Sequence, residues 1–135
     1  MNKPFTIEFQ VRDYELDLQG IVNNSNYQQY LEHARHEYLF HKKIDFAKLH
    51  NEGIDLIVTR IEIDYKTPLQ SRDEFYITVE TKRDGNLRIV FEQNIYRKSD
   101  NKVVVLAKVT GICLKNGRPA RPESVIDLVE LGIEE

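Results

Sequence analysis

The sequence predicts an α+β domain in which a five-stranded antiparallel sheet covers one long helix. Three observations carry that expectation. Five segments alternate apolar and polar residues with the period of two that marks a half-buried strand. One segment, from about Ser25 to His41, sets Tyr27, Tyr30, Leu31, Ala34 and Tyr38 on a single face at helical spacing. Short turn signals, rather than long crossovers, join the later strands. A sheet of this size buries one face against one helix, which makes a layer pair.

The elements follow in order. Phe5, Ile7, Phe9 and Val11 alternate with Thr6, Glu8, Gln10 and Arg12 in a first strand. The long helix turns Glu32, His33, Arg35 and His36 mostly outward, with His41 at the edge of the inner face. A short helical turn covers Asp45 to His50 and stops before Gly53. Strands are then expected over Ile57 to Tyr65, Glu74 to Lys82, Leu87 to Arg97 and Val103 to Lys115, in a meander. Asp84-Gly85-Asn86, Ser99-Asp100-Asn101 and Asn116-Gly117 supply the turns. Val103 to Leu106 is apolar at successive positions, which suits a central strand. A last short helix is expected over Glu123 to Leu131.

A length of 135 residues suits one domain, residues 1–135, with a substantial core. Hydrophobic content of 41% and charged content of 30% are those of a soluble globular chain. A net charge of −3 argues against general nucleic-acid binding. No apolar run approaches membrane-spanning length, and Met1 to Phe5 lacks the apolar stretch of a secretory signal. A lone Cys113 fits a reducing cytoplasm and, set among Val109, Ile112 and Leu114, reads as a buried inert thiol.

The chemistry is concentrated between Val11 and Tyr27. A strand ends, an acidic loop turns at Gly20, and a helix starts in the run Asn23-Asn24-Ser25-Asn26. Asp17 therefore stands a few residues ahead of a helix N-terminus, where backbone N–H groups lack partners and carry partial positive charge. A carboxylate facing such donors can attack a carbonyl, or activate water to do so, while the donors hold the developing oxyanion. The same residue types also serve as turn and cap residues with no chemistry at all. Both readings are open on the residues alone.

This stretch resembles the acyl-CoA thioesterases of the hotdog-fold superfamily, of the 4-hydroxybenzoyl-CoA and long-chain acyl-CoA thioesterase type. The likeness rests on Val11, Arg12, Leu16, Asp17, Gly20, Val22, Asn23, Asn24, Tyr27 and Tyr30, followed by Glu32, Ala34 and Arg35. It continues through Ile61 to Leu69, similar to the family's second strand and its proline exit, and through Gly117 to Glu123, similar to its C-terminal turn. The resemblance implies a sheet curled around a central helix and hydrolysis of an acyl-CoA to coenzyme A and a free acid. It also implies a catalytic Asp17, an oxyanion hole at the backbone of Asn23 to Ser25, chiefly Asn24, and Gly20, Val22 and Tyr27 beside the acyl group. No cofactor is implied. A homodimer or homotetramer is, with the pocket between subunits. Two departures stand out. Plant acyl-carrier-protein thioesterases of this fold have Asn and His where this chain has Gln19 and Ile21, and several bacterial relatives have His at the position of Asn24. An acyl-binding protein without turnover and an acyl-carrier-protein thioesterase are therefore the alternatives.

The remaining polar groups divide simply. Lys82, Arg83 and Arg88 flank the Asp84 hairpin; they read either as solvated hairpin ends or, by the resemblance, as contacts for the coenzyme A phosphates. Arg60, Lys66 and Arg72 are weaker candidates for that role. His33, His36, His41 and His50 lack the spacing and company of a metal site, so no metal is expected.

Overall fold

A computed structural model describes residues 4–126. The strands are β1 (Phe5–Gln10), β2 (Ile54–Tyr65), β3 (Glu74–Asp84), β4 (Arg88–Arg97), β5 (Val103–Lys115) and β6 (Arg118–Ala120); the helices are α1 (Asn24–His41) and α2 (Phe46–Asn51). The order across the sheet is β1-β3-β4-β5-β2, with β6 on the end of β5, and every pairing is antiparallel. The sheet curls around α1, as expected of the hotdog plan.

Two features depart from the expected meander. Only β3, β4 and β5 are consecutive neighbours; β2 crosses over to the outer side of β5 and becomes one edge, while β1 forms the other. The short β6 was hidden because it has three residues and a proline, which only an edge position tolerates. The expected helix over Glu123 to Leu131 appears as a 3-10 turn at Pro122–Ser124, and its remainder lies outside the described residues.

The core follows from parity. Phe75, Ile77 and Val79 of β3, Ile89, Phe91 and Ile95 of β4, and Val105, Ala107 and Val109 of β5 are all buried on the face that α1 covers. From the helix, Tyr27, Tyr30, Leu31, Ala34, Tyr38 and Leu39 meet them. Full burial of one such side chain contributes about 1.5–3 kcal/mol, so this layer dominates the favourable side of folding. Gly111 relieves a close approach: a Cβ there would lie 3.1 Å from the Ile57 carbonyl oxygen, beside the bulge where β2 slips register between Val58 and Arg60.

Arg35 corrects the outward assignment. It is buried on the core side of α1, its Nη1 donating to Gln93 Oε1 at 3.1 Å, and Gln93 Nε2 donates in turn to the Leu31 carbonyl at 2.8 Å. A polar residue on the centre of β4 makes this place for a guanidinium.

Candidate active site

The helix start is built by its cap. Asn23 is extended (φ −64°, ψ 140°), and its Oδ1 accepts from the Ser25 N–H at 3.0 Å. The Asn23 N–H donates to the Glu15 carbonyl at 3.1 Å, and the Asn26 N–H to the Asn23 carbonyl at 2.9 Å. Three of the first N–H groups are thus engaged. The Asn24 N–H, at the first helical position, has no acceptor among the described residues. The expected set of donors from Asn23 to Ser25 narrows to this one group. Ser25 is taken by its own cap, which the residue types could have suggested.

Asp17 lies in a small hairpin. Leu16 and Val22 bridge, the Asp17 N–H donates to the Ile21 carbonyl at 2.9 Å, and Gly20 turns the tip with φ +79°. Nothing crowds Gly20, so its need is the left-handed backbone rather than space. Asp17 is half-buried, and its Oδ1 accepts from the Gln19 N–H at 2.8 Å and the Ile21 N–H at 3.4 Å. The second carboxylate oxygen has no partner among the described residues. One oxygen is held by the loop and the other is available to a substrate or a water. Val22 is buried at the base of the hairpin, where its N–H donates to the Leu69 carbonyl at 2.9 Å.

Tyr27 lies deeper than expected of a pocket residue. Only 3% of it is exposed, its hydroxyl accepts from the Leu69 N–H at 3.0 Å, and its ring stands 5.7 Å from that of Tyr65. Burial raises its pKa. Glu15 is also buried; its side chain accepts from the Arg12 N–H at 2.8 Å, and burial together with this neighbour raises the Tyr30 hydroxyl as well.

The three hairpin cations stand elsewhere and in different states. Arg83 is held at three points, donating to the Gly85 and Asn86 carbonyls at 3.0 and 3.2 Å and to Glu123 at 2.6 Å. Lys82 is exposed and pairs with Glu92 at 2.9 Å, a bond that raises its pKa. Arg88 is exposed and has no ion-pair partner among the described residues. Lys82 and Arg88 lie on the sheet face away from α1, and with Arg83, Arg60 and Lys108 they line an open groove of about 810 Å³ whose wall also carries the carboxylates Glu62, Asp84 and Glu92. Lys108 was not singled out from the sequence; its signal is parity, since it pairs with Glu92 across the outer face. Lys66 and Arg72 do not line this groove.

Within one chain the structure does not bring Asp17 and these cations together. Tyr27, in the first turn of α1, meets Leu69 next to the Asp17 hairpin, whereas Tyr38, near its far end, bonds Thr81 at 3.0 Å beside the β3–β4 turn. From Tyr27 to Tyr38 the axis of α1 advances about 17 Å.

The four histidines are scattered: His33 and His36 face Glu37 and Glu32 on the outer side of α1, and His50 Nδ1 lies 2.6 Å from Asp55. Among the described residues no three metal-ligating side chains converge, and no helix is long and apolar enough to cross a membrane.

An antiparallel sheet curled around one long helix is the hotdog plan, and here a loop carrying a carboxylate stands against the first turn of that helix. The chain belongs to the thioesterase-like superfamily, whose family model matches residues 11–128. It is 35% identical over 119 residues, 87% of its length, to the chloroplastic acyl-acyl carrier protein thioesterase ATL2 of Arabidopsis thaliana, and spans 63% of that protein. It is 30% identical to the long-chain acyl-CoA thioesterase FadM of Escherichia coli, over 79% of this chain and 80% of that one. The crystal structure of a hypothetical protein from Aquifex aeolicus superposes with a TM-score of 0.84 at 29% identity, covering 95% of this chain and 99% of the other.

Proposed function

We propose that this chain hydrolyses acyl-CoA thioesters to coenzyme A and free acids. The observation that carries this is that the hairpin bearing Asp17 is tied at the Glu15 carbonyl to the first turn of α1, the same turn that leaves the Asn24 N–H without an acceptor among the described residues. The thioester carbonyl oxygen docks on the Asn24 N–H. Asp17 either attacks the carbonyl carbon, giving an anhydride that water then opens, or takes a proton from a water that attacks in its place. In both routes collapse of the oxyanion breaks the C–S bond and expels the thiolate, which is then protonated; the collapse gives the acid directly when water attacks, and the anhydride, opened to the acid by water afterwards, when Asp17 attacks. Support comes from family membership and from a relative named as a long-chain acyl-CoA thioesterase.

A second carrier has its own support. The relative at 35% identity is named for acyl carrier protein. Offering one acyl group on both carriers, and on short, long and aromatic acyl-CoAs, with thiol release as the readout, tests the reading. Turnover of acyl-CoA supports it. Tight acyl-CoA binding with no thiol release replaces it with an acyl-binding role.

The site is completed by a second copy of the chain, in our reading. β2 is an unpaired edge, and Val58, Ile61 and Tyr65 are each more than 40% exposed. They sit opposite Gly111, Val109 and Val105, hence on the helix-side face, beyond the cover of α1. An exposed apolar edge of this length invites pairing. A two-fold contact there reverses the strand direction, so that Asp17 of one chain approaches the hairpin end of the other. A single domain is part of the same reading, supported by one continuous core cluster among the described residues. A cytoplasmic location fits the single buried thiol of Cys113, which burial pushes up to about 11.

A further inference from the structure

The Asp17 hairpin is held by two hydrogen-bond tethers that both originate in the first turn of α1. The hairpin tip has no apolar anchor, since Leu18 is fully exposed. Its entering leg is fixed at the Glu15 carbonyl, which accepts from the Asn26 side-chain Nδ2 at 2.7 Å as well as from the Asn23 N–H at 3.1 Å. Its leaving leg is fixed at Val22, whose N–H donates to Leu69; the N–H of that same Leu69 donates to the Tyr27 hydroxyl. Asn26 and Tyr27 are adjacent residues, two and three positions past Asn24. One helical turn therefore presents the oxyanion donor and grips both legs of the loop that carries the carboxylate.

We propose that Asn26 and Tyr27 are positioning residues that fix the distance between Asp17 and the Asn24 N–H. This rests on the Asp17 and Asn24 roles proposed above. Neither side chain needs to touch the substrate. The Tyr27 hydroxyl is buried, and no other group among the described residues takes the Leu69 N–H. The Asn26 amide must present nitrogen to Glu15, because the reverse orientation sets two oxygens against each other. A loss of about 1 Å in the placement of a reacting group costs roughly 10²-fold in rate, so partial loosening of one leg is expected to cost about tenfold.

The test uses the full chain with Tyr27→Phe and Asn26→Leu, both close in shape to the originals. Tyr38→Phe serves as control, because it also alters a buried hydroxyl on α1 but at the far end, beside Thr81. Amide exchange by NMR at Asp17, Val22 and Asn23 reads the tether directly, without any substrate. Kinetics on an acyl-CoA read its consequence. Tyr27→Phe and Asn26→Leu are expected to speed exchange at those three amides about tenfold or more. They are also expected to lower kcat about tenfold with KM changed less than about twofold, while Tyr38→Phe does neither. Exchange that is unchanged in both variants overturns the proposal. So does faster exchange with wild-type kcat, or an equal loss of kcat in Tyr38→Phe. If Asn26→Leu does not fold, Tyr27→Phe alone decides. A wild-type protein without thioester turnover overturns the functional reading instead, and the exchange comparison then decides the tether by itself.

Discussion

Arg35 Nη1 and Gln93 Oε1 stand 3.1 Å apart between α1 and the middle strand of the sheet, with Gln93 wholly out of solvent. The guanidinium keeps its charge through a neutral amide. Burial lowers its pKa, though an arginine remains protonated throughout the accessible range. Gln93→Leu would strand that charge and is expected to destabilise the fold by about 1.5–3 kcal/mol, the range for a hydrogen bond to a charged group. Arg35→Met combined with Gln93→Leu should recover much of the loss, because both polar groups then leave the core together. Urea unfolding of the two single variants and the double gives the coupling energy. Additive losses would show that the pair is not coupled.

Asp17→Asn tests the nucleophile or base without disturbing the loop. The asparagine Oδ1 can still accept from the Gln19 and Ile21 N–H groups, so the hairpin is kept. Activity on an acyl-CoA is expected to fall by roughly 10²-fold or more in kcat. Near wild-type turnover would shift the role elsewhere, and Glu15, buried two residues earlier, is the next carboxylate to examine.

Asn24→Pro isolates a single N–H. Proline is favoured at the first helical position, and Asn23 already has the extended backbone that a following proline demands. The fold is therefore expected to survive, while the Asn24 donor disappears. Loss of an oxyanion donor typically costs about 10²–10³-fold in kcat. Asn24→Ala keeps the N–H and should cost far less. A proline variant that turns over like wild type, with circular dichroism unchanged, would remove Asn24 from the oxyanion hole.

The placement of Asp17 was legible because a tight turn, a cap cluster and a helix lie in one continuous stretch of sequence. The helix-side core of β3, β4 and β5 was legible for a similar reason, since parity alone sorts Phe75, Ile77 and Val79 from Tyr76 and Thr78. What escaped depends on contacts distant in the chain. The crossing of β2 to the far side of β5 is set by pairing across some 50 residues, with Ile61 opposite Val109, and no local pattern encodes it. Arg35 reads as an outward residue until Gln93 is known to lie beneath it. Asn26 reads as one more cap residue, and its tie to Glu15 becomes visible only when the loop is folded back on the helix.

Arg88 is the hairpin cation best placed to meet a phosphate, because Arg83 is held by Glu123 and Lys82 by Glu92. Arg88→Glu is expected to raise KM for acyl-CoA about tenfold and to leave a thioester truncated before the phosphates nearly unchanged. Added salt should weaken the wild-type advantage, since the contact is solvent-exposed. Arg83→Glu should instead lower stability through loss of the Glu123 pair. Equal effects of Arg88→Glu on full and truncated substrates would assign Arg88 a structural role.

Asp17 stands beside the first turn of α1, whereas Arg88 belongs to the hairpin near the far end of that helix, and this makes the last prediction specific. A site that uses both needs two chains, with the β2 edges as the contact. Ile61→Lys places a charge in the exposed apolar row of that edge and is expected to shift the protein toward monomer in sedimentation and to abolish turnover together. Assayed with acyl-CoA well below KM, where Arg88→Glu alone is about tenfold impaired, mixing Asp17→Asn with Arg88→Glu under subunit exchange should restore activity, because some mixed dimers hold one site with both residues intact. Statistical mixing at equal amounts puts half of the dimers in that state, each with one working site, so recovery of about a quarter of wild-type activity is expected if subunits associate without preference. A monomer that hydrolyses acyl-CoA at the wild-type rate, or a mixture no more active than its two components, would refute the shared site.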